Sequence, residues 1–277
     1  MKTAVGLLRL ARPMTTITGL LATVLGGYVA GTGQWVAVAL AALVTLLVGA
    51  SANAWNDYLD IEIDKVNRPD RVLPSGLVSP DQARQFFVIL TVISLILAAF
   101  INLPAFLITF FSHIVLYVYS LRLKSTVLLG NLTVALISSL TIILGGVAAG
   151  NVGPTFLLAG IIAVGILGRE VLKTLADYDG DLSQDCKTVS TVLGKRAARI
   201  IFYLLALSTA WVMLVPHMLQ VYRPVYAYIV LVGVLPVIAY VLIRVAPGAT
   251  ARQLEKLSQL MKYDFMVWFV AVILGAR

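Results

Sequence analysis

Charge is what this chain has least of. Only 12% of its 277 residues are Asp, Glu, Lys or Arg, while 60% are apolar. A soluble domain carries about 25% charged residues to keep its surface wet. The share found here leaves too little polar surface to cover a water-facing globule, so lipid is the solvent expected for most of the exterior. Cysteine is almost missing as well. The lone Cys186 excludes an intramolecular disulfide and any multi-cysteine metal site, and it reads as a packing or surface thiol. The ~10-residue alternating segments of a membrane β-barrel are absent. No cleavable leader is expected, because Met1–Arg12 runs into a long helix without a small-residue cleavage site.

What is present is a series of apolar runs, at about 14–31, 35–55, 86–103, 105–121, 126–149, 154–174, 199–216, 224–243 and 258–275. Most approach the roughly 20 residues that cross about 30 Å of hydrocarbon as a helix. Inside lipid every backbone group has to be satisfied within its own segment, so these runs are expected to be α-helices. The expected fold is all-α, a single membrane-embedded domain over 1–277 with about nine transmembrane helices. Counts of eight or ten also fit, because the break at Asn102–Pro104 is short.

The net charge of +8 raises nucleic acid as a partner, and the placement of the basic residues argues against it. Of the 21 Lys and Arg, all but Arg223 and Arg277 fall in loops on one side of the expected helices. That asymmetry is the positive-inside signature. It assigns the N-terminus and the loops after the even-numbered helices to the cytoplasm of a multi-pass cell-membrane protein. No nucleic-acid partner and no obligate protein partner is expected; membrane lipids are.

The acids are more telling. Of 13 Asp and Glu, ten fall in two short segments: Asp57, Asp60, Glu62, Asp64 and Asp70 after the second helix, and Glu170, Asp177, Asp179, Asp181 and Asp185 after the sixth. Asn56, Asp60 and Asp64 are four apart and stack on one helical face, with Asp57 within reach; Asp177, Asp181 and Asp185 repeat the spacing. Like charges at that spacing destabilise a helix by some tenths of a kcal/mol, so stacked carboxylates call for a cation. Oxygen ligands of this kind suit Mg²⁺, which takes one or two carboxylates and completes its shell with substrate phosphate oxygens. One such cluster would read as a solvated loop paired with nearby Arg and Lys. Two clusters of matched spacing, on the same side, point to a shared anionic substrate. Arg68, Arg71, Lys124 and Lys173 are the cations suited to a diphosphate; Lys65, Arg84 and the 195–199 group are assigned to topology.

These residues resemble the UbiA-type membrane-embedded prenyltransferases. Asn56 to Asp64 is similar to that family's NDxxDxxxD motif, and Asn67 to Gly76 to its downstream NxPxRPxPSG stretch. Arg169 to Lys173 followed by Asp177 to Asp181 resembles its REx(I/L)K…DxxxD motif. Tyr119 to Lys124 followed by Gly130-Asn131 resembles its YSxxLK…GN stretch. Motif order, spacing and helix count agree over essentially the whole length. The resemblance implies a bundle around a central cavity that opens sideways to lipid, and Mg²⁺-dependent transfer of a prenyl group from a polyprenyl diphosphate. Two ions would be bound, one by Asn56, Asp60 and Asp64 and the other by Asp177 and Asp181, with Asp57 nearby. The diphosphate would be held by Arg68, Arg71, Tyr119, Arg122, Lys124 and Lys173; Asn53, Asn131 and Asp185 are further candidates. Departures are Val72 where proline is common, Thr174 where several members have Asp, Asp185 where Gly is usual, and Val189-Ser190 in place of Leu-Pro.

Within the family, the stretch 56–76 and the run from Lys173 to Asp181 look closest to the archaeal lipid branch, which transfers geranylgeranyl to geranylgeranylglyceryl phosphate. An aromatic acceptor, as in quinone synthesis, is the alternative within the family. A secondary transporter is the alternative outside it, and it would want polar residues and broken helices in mid-membrane. His113 and Asn131 are the main polar residues expected inside spans, and His113 reads as packing.

Overall fold

The computed structural model describes residues 2–276, with Lys2, Val66 and Asn67 described by their backbone alone. Arg277, one of the two basic residues assigned to the outer side, lies outside the described residues. Thirteen α-helices follow one another: α1 (Lys2–Leu10), α2 (Pro13–Val29), α3 (Trp35–Leu59), α4 (Ile61–Asn67), α5 (Pro80–Ile101), α6 (Leu103–Leu121), α7 (Leu129–Ala148), α8 (Thr155–Ala176), α9 (Tyr178–Ser183), α10 (Val189–Met218), α11 (Pro224–Ile229), α12 (Leu235–Arg244) and α13 (Ala251–Gly275). Between α11 and α12 a π-turn at Val230–Val234 keeps the helix continuous. Among the described residues there is no strand. Eight stretches are long and apolar enough to cross a membrane, counting Pro224–Arg244 as one, and the 17-residue α2 is a ninth apolar helix.

Two helices begin earlier than hydropathy suggests, at Pro80 and Ala251 rather than at 86 and 258, and α10 opens with a short helical turn from Val189 that breaks at Gly194 (φ 83°, ψ 156°) before the long helix. The reason is shared. All three open on a capping box, Ser79 with Gln82, Thr188 with Thr191 and Thr250 with Gln253. Such a box satisfies two of the orphan N–H groups of a first turn that is too polar for an apolar scan to count. The short break near 102–104 is real. The Asn102 side chain accepts from the Ala105 N–H at 2.8 Å and donates to the Val147 carbonyl at 3.2 Å, and Pro104 stands in the first turn of α6.

The chain divides into two compact units, residues 2–123 with 140–155, and residues 124–139 with 156–276. In the first unit small residues let backbones approach. A Cβ on Gly26 would lie 2.1 Å from the Ile142 carbonyl oxygen, and one on Gly145 would lie 2.0 Å from that of Thr23. Close packing of this kind drives helix association where lipid removes the hydrophobic force. The Thr23 hydroxyl adds bonds to the Thr141 carbonyl (3.0 Å) and the Thr45 hydroxyl (2.7 Å). In the second unit Gly165 of α8 receives the ring edge of Phe265 from α13. There the buried Trp268 Nε1 donates to the Tyr226 hydroxyl (3.1 Å), which donates to the Met213 carbonyl (2.6 Å). Large apolar side chains face outward along both units, Phe100 at 78% exposure and Ile243 at 74%. In water that surface would be an association hazard; in lipid it is an ordinary exterior.

Candidate active site

In the first unit the carboxylate row sits where α3 gives way to α4. Asp60 is the junction (φ −91°, ψ 5°), yet the backbone ladder continues through it, Asp60 N to Asn56 O at 3.0 Å and Asp64 N to Asp60 O at 2.8 Å. The three residues are therefore stacked on successive turns, as the spacing predicted. In the second unit the junction of α8 and α9 is Asp177, with nearly the same dihedrals (φ −89°, ψ 4°) and the same ladder, Asp177 N to Lys173 O at 2.9 Å and Asp181 N to Asp177 O at 2.8 Å. Two motifs unlike in most of their residues adopt one backbone geometry.

The row does not reach Asp185. Helix α9 stops at Ser183, and Asp185 takes a left-handed conformation (φ 52°) that costs a non-glycine residue about 1–2 kcal/mol. It is exposed and off the helical face, so the expected third turn of stacking is not formed.

The first row carries its own countercharge. Asp57 and Asp64 are 6% and 5% exposed. Arg71 donates to Asp64 Oδ2 at 2.6 Å and lies 3.7 Å from Asp57 Oδ1, and Arg12 makes a very short bond to that same Asp57 oxygen. The pairing of Arg12 with Asp57 is not visible in the sequence because the two lie 45 residues apart. The only local signal of Arg12 is position, since it precedes Pro13 and takes a left-handed backbone (φ 51°) as α1 ends and α2 begins. Asn56 Nδ2 donates to Asp60 Oδ2 at 3.0 Å, and Asn53 Nδ2 to the Ala11 carbonyl at 3.1 Å. Asn53 thus serves the N-terminal segment. On the opposite side of α3, Trp55 stacks with Tyr58, Phe87 and Tyr117 at centroid distances of 5.5, 4.9 and 4.9 Å and backs the carboxylate-bearing turn.

In the second unit Asp181 accepts from the Thr188 hydroxyl, and its pKa is pushed up to about 6, first by burial and then by the neighbouring Asp177 charge, against the lowering effect of that hydrogen bond. The Ser190 hydroxyl makes a short bond to the Thr174 carbonyl, so the start of α10 is fastened to the end of α8. Lys173 donates to both oxygens of Glu170, each at 3.1 Å. Asp179 faces outward, paired with Lys195 at 3.4 Å.

The other diphosphate candidates lie at the ends of α4 and α6. Arg68 is exposed at the C-cap of α4 and Arg122 is exposed at the C-cap of α6. Tyr119 is half-buried in the last turn of α6, Lys124 half-buried in the short turn after it, and Asn131 half-buried on α7. Asp264, buried on α13 with Oδ1 lacking a hydrogen-bond partner, is an intramembrane acid that reading the two clusters overlooked.

Among the described residues no three His, Cys, Asp or Glu side chains converge as a ready-made metal cage. The donor set nonetheless fits Mg²⁺. It is oxygen-only, with few carboxylates at each junction, which suits a hard ion that keeps open positions for phosphate.

Comparison with known proteins identifies the family. The model of the UbiA prenyltransferase family matches residues 20–269. A digeranylgeranylglyceryl phosphate synthase of Halobacterium salinarum is 32% identical over 94% of this chain and 95% of its own. A solved structure described as a digeranylgeranylglyceryl phosphate synthase in membranes superposes with a TM-score of 0.81 at 26% identity, covering 99% of both chains. A UbiA homologue from Archaeoglobus fulgidus bound to GPP and Mg²⁺ shares the fold, with a TM-score of 0.75 at 22% identity over 95% of this chain and 99% of that one. The protein is a member of the UbiA prenyltransferase family, a multi-pass membrane enzyme that transfers prenyl groups.

Proposed function

We propose that the whole chain acts as one transferase domain that moves a geranylgeranyl group from its diphosphate to the hydroxyl of a glycerol-phosphate lipid acceptor. The C–O bond to diphosphate breaks, an ether C–O bond forms to the acceptor, the hydroxyl proton is given up and diphosphate leaves. The names of the relatives support the acceptor class. The chemistry rests on the repeated junction, in which Asp60 and Asp177 carry carboxylates on the same backbone turn.

Asn56, Asp60 and Asp64 would hold one Mg²⁺, and Asp177 and Asp181 a second. When bound, the ions supply positive charge against that growing on the departing diphosphate. Arg68, Arg71, Tyr119, Arg122, Lys124 and Lys173 supply hydrogen bonds and charge to the phosphates. Arg71 does so while it neutralises Asp57 and Asp64. Apolar helices exclude water, which would otherwise capture the allylic cation before the acceptor does. The basic asymmetry supports a cytoplasmic N-terminus and cytoplasmic carboxylate rows.

The test is to incubate purified protein with Mg²⁺, geranylgeranyl diphosphate and a panel of acceptors and to identify the product. The expected result is a diether lipid phosphate with release of diphosphate, abolished by EDTA. Prenylation of an aromatic acceptor alone, or transfer that persists in excess EDTA, would overturn the reading.

A further inference from the structure

Arg199 of α10 stands apart from the other charges of the second unit. It is half-buried, and its Nε–H is enclosed without a hydrogen-bond partner among the described residues. One turn earlier, Lys195 is committed to Asp179 at 3.4 Å and lies over the Tyr178 ring. Arg199 has no such carboxylate among the described residues. An enclosed guanidinium donor without an acceptor is unfavourable, and an anion from outside the chain would satisfy it.

The fold fixes where that anion would sit. Arg199 and Tyr203 are one turn apart on α10 and share a face. The Tyr203 hydroxyl makes a short bond to the Val245 carbonyl, and Val245 directly follows Arg244, the last residue of α12. Arg199 therefore lies at the end of the groove between α10 and α12, where α10 starts, α12 stops and Arg244 is exposed. Arg196, also exposed and a turn nearer the start of α10, adds a third cation. Along the adjoining face of α10, Ile200, Leu204 and Leu207 recur at helical spacing and are 50–60% exposed. On a membrane helix such a stripe faces acyl chains. Cations at one end and hydrocarbon beyond them is the order of groups in an anionic lipid.

We propose that Arg196, Arg199 and Arg244 hold the headgroup phosphate of an anionic phospholipid from the adjoining leaflet, with its chains along the α10 stripe. Guanidinium forks match phosphate oxygens, and basic pockets between membrane helices suit such headgroups. A zwitterionic lipid brings an ammonium beside its phosphate and gains less from three arginines. A free phosphate ion would meet the arginines but leave the apolar stripe unused. The bound lipid ties the start of α10 to the end of α12 and takes no part in prenyl transfer.

Native mass spectrometry of the full chain tests this, with the protein released from detergent micelles doped with phosphatidylglycerol or phosphatidylcholine. The unaltered protein should prefer phosphatidylglycerol by about tenfold or more. Arg199→Gln should lower that preference about tenfold, the worth of a charge-assisted bond, and Arg244→Gln about fivefold, the worth of one surface cation. Retention of phosphatidylcholine should stay within about twofold in both. Equal retention of the two lipids by the unaltered protein would overturn the proposal. Arg244 is exposed, so Arg244→Gln decides if Arg199→Gln does not fold: an unchanged preference in it contradicts the assignment. Displacement of bound phosphatidylglycerol by inorganic phosphate, at an ionic strength matched with chloride, would mark a free-ion site and overturn it too; retention supports a lipid.

Discussion

The two carboxylate rows share a backbone and differ in how they are neutralised. In the first, Asp57 and Asp64 are almost fully buried and held by Arg12 and Arg71. In the second, Asp181 is partly exposed, bonded to the Thr188 hydroxyl, and made harder to ionise by Asp177. The first row is assembled before any cation is added, while the second keeps a carboxyl that gains from one. The difference teaches that matched spacing in sequence does not mean matched dependence on metal.

The sharpest way to break the comparison is to remove the junction residues. Asp60→Ala or Asp177→Ala should lower turnover by about 10²–10³-fold or more, measured as diphosphate release, with the protein still folded in detergent. Arg71→Gln should act mainly on the first unit. Stranding a buried carboxylate costs about 3–5 kcal/mol, so this variant should unfold at clearly lower denaturant than the parent. Thr188→Val should leave folding nearly intact and raise the Mg²⁺ needed for half-maximal rate several-fold, since one hydrogen bond to the carboxylate is worth about 1.5–3 kcal/mol.

Acid should act on the second row. A carboxyl raised to about 6 favours the folded metal-free state below its ordinary value near 4, and that contribution is lost as pH rises through about 6. Mg²⁺ competes with the proton, so the Mg²⁺ requirement should climb as pH falls below about 6 and level off above 7. Lys195→Ala, which breaks the exposed pair with Asp179, should change stability by less than about 1 kcal/mol and leave the rate alone.

Much of this was legible in the residues. Nine apolar runs gave the helices because hydrocarbon admits little else, and the i, i+4 spacing of Asn56, Asp60 and Asp64 survived a helix junction that the spacing alone does not announce. What escaped was non-local or locally polar. Arg12 reaches Asp57 from 45 residues away, and no window along the chain pairs them. The starts of α5 and α13 were hidden by polar first turns whose meaning is capping. Asp185 fits the period, but the helix ends two residues before it. Asp264 lies in an apolar span, where attention to the two loop clusters of acids passes over it.

The central proposal is that each row holds one metal ion. The most direct measurement is Mn²⁺ binding followed by electron paramagnetic resonance, with geranylgeranyl diphosphate present, on the parent, Asp60→Asn and Asp177→Asn. Two ions per chain in the parent and one in each variant is the predicted result; two ions retained in either variant would contradict it.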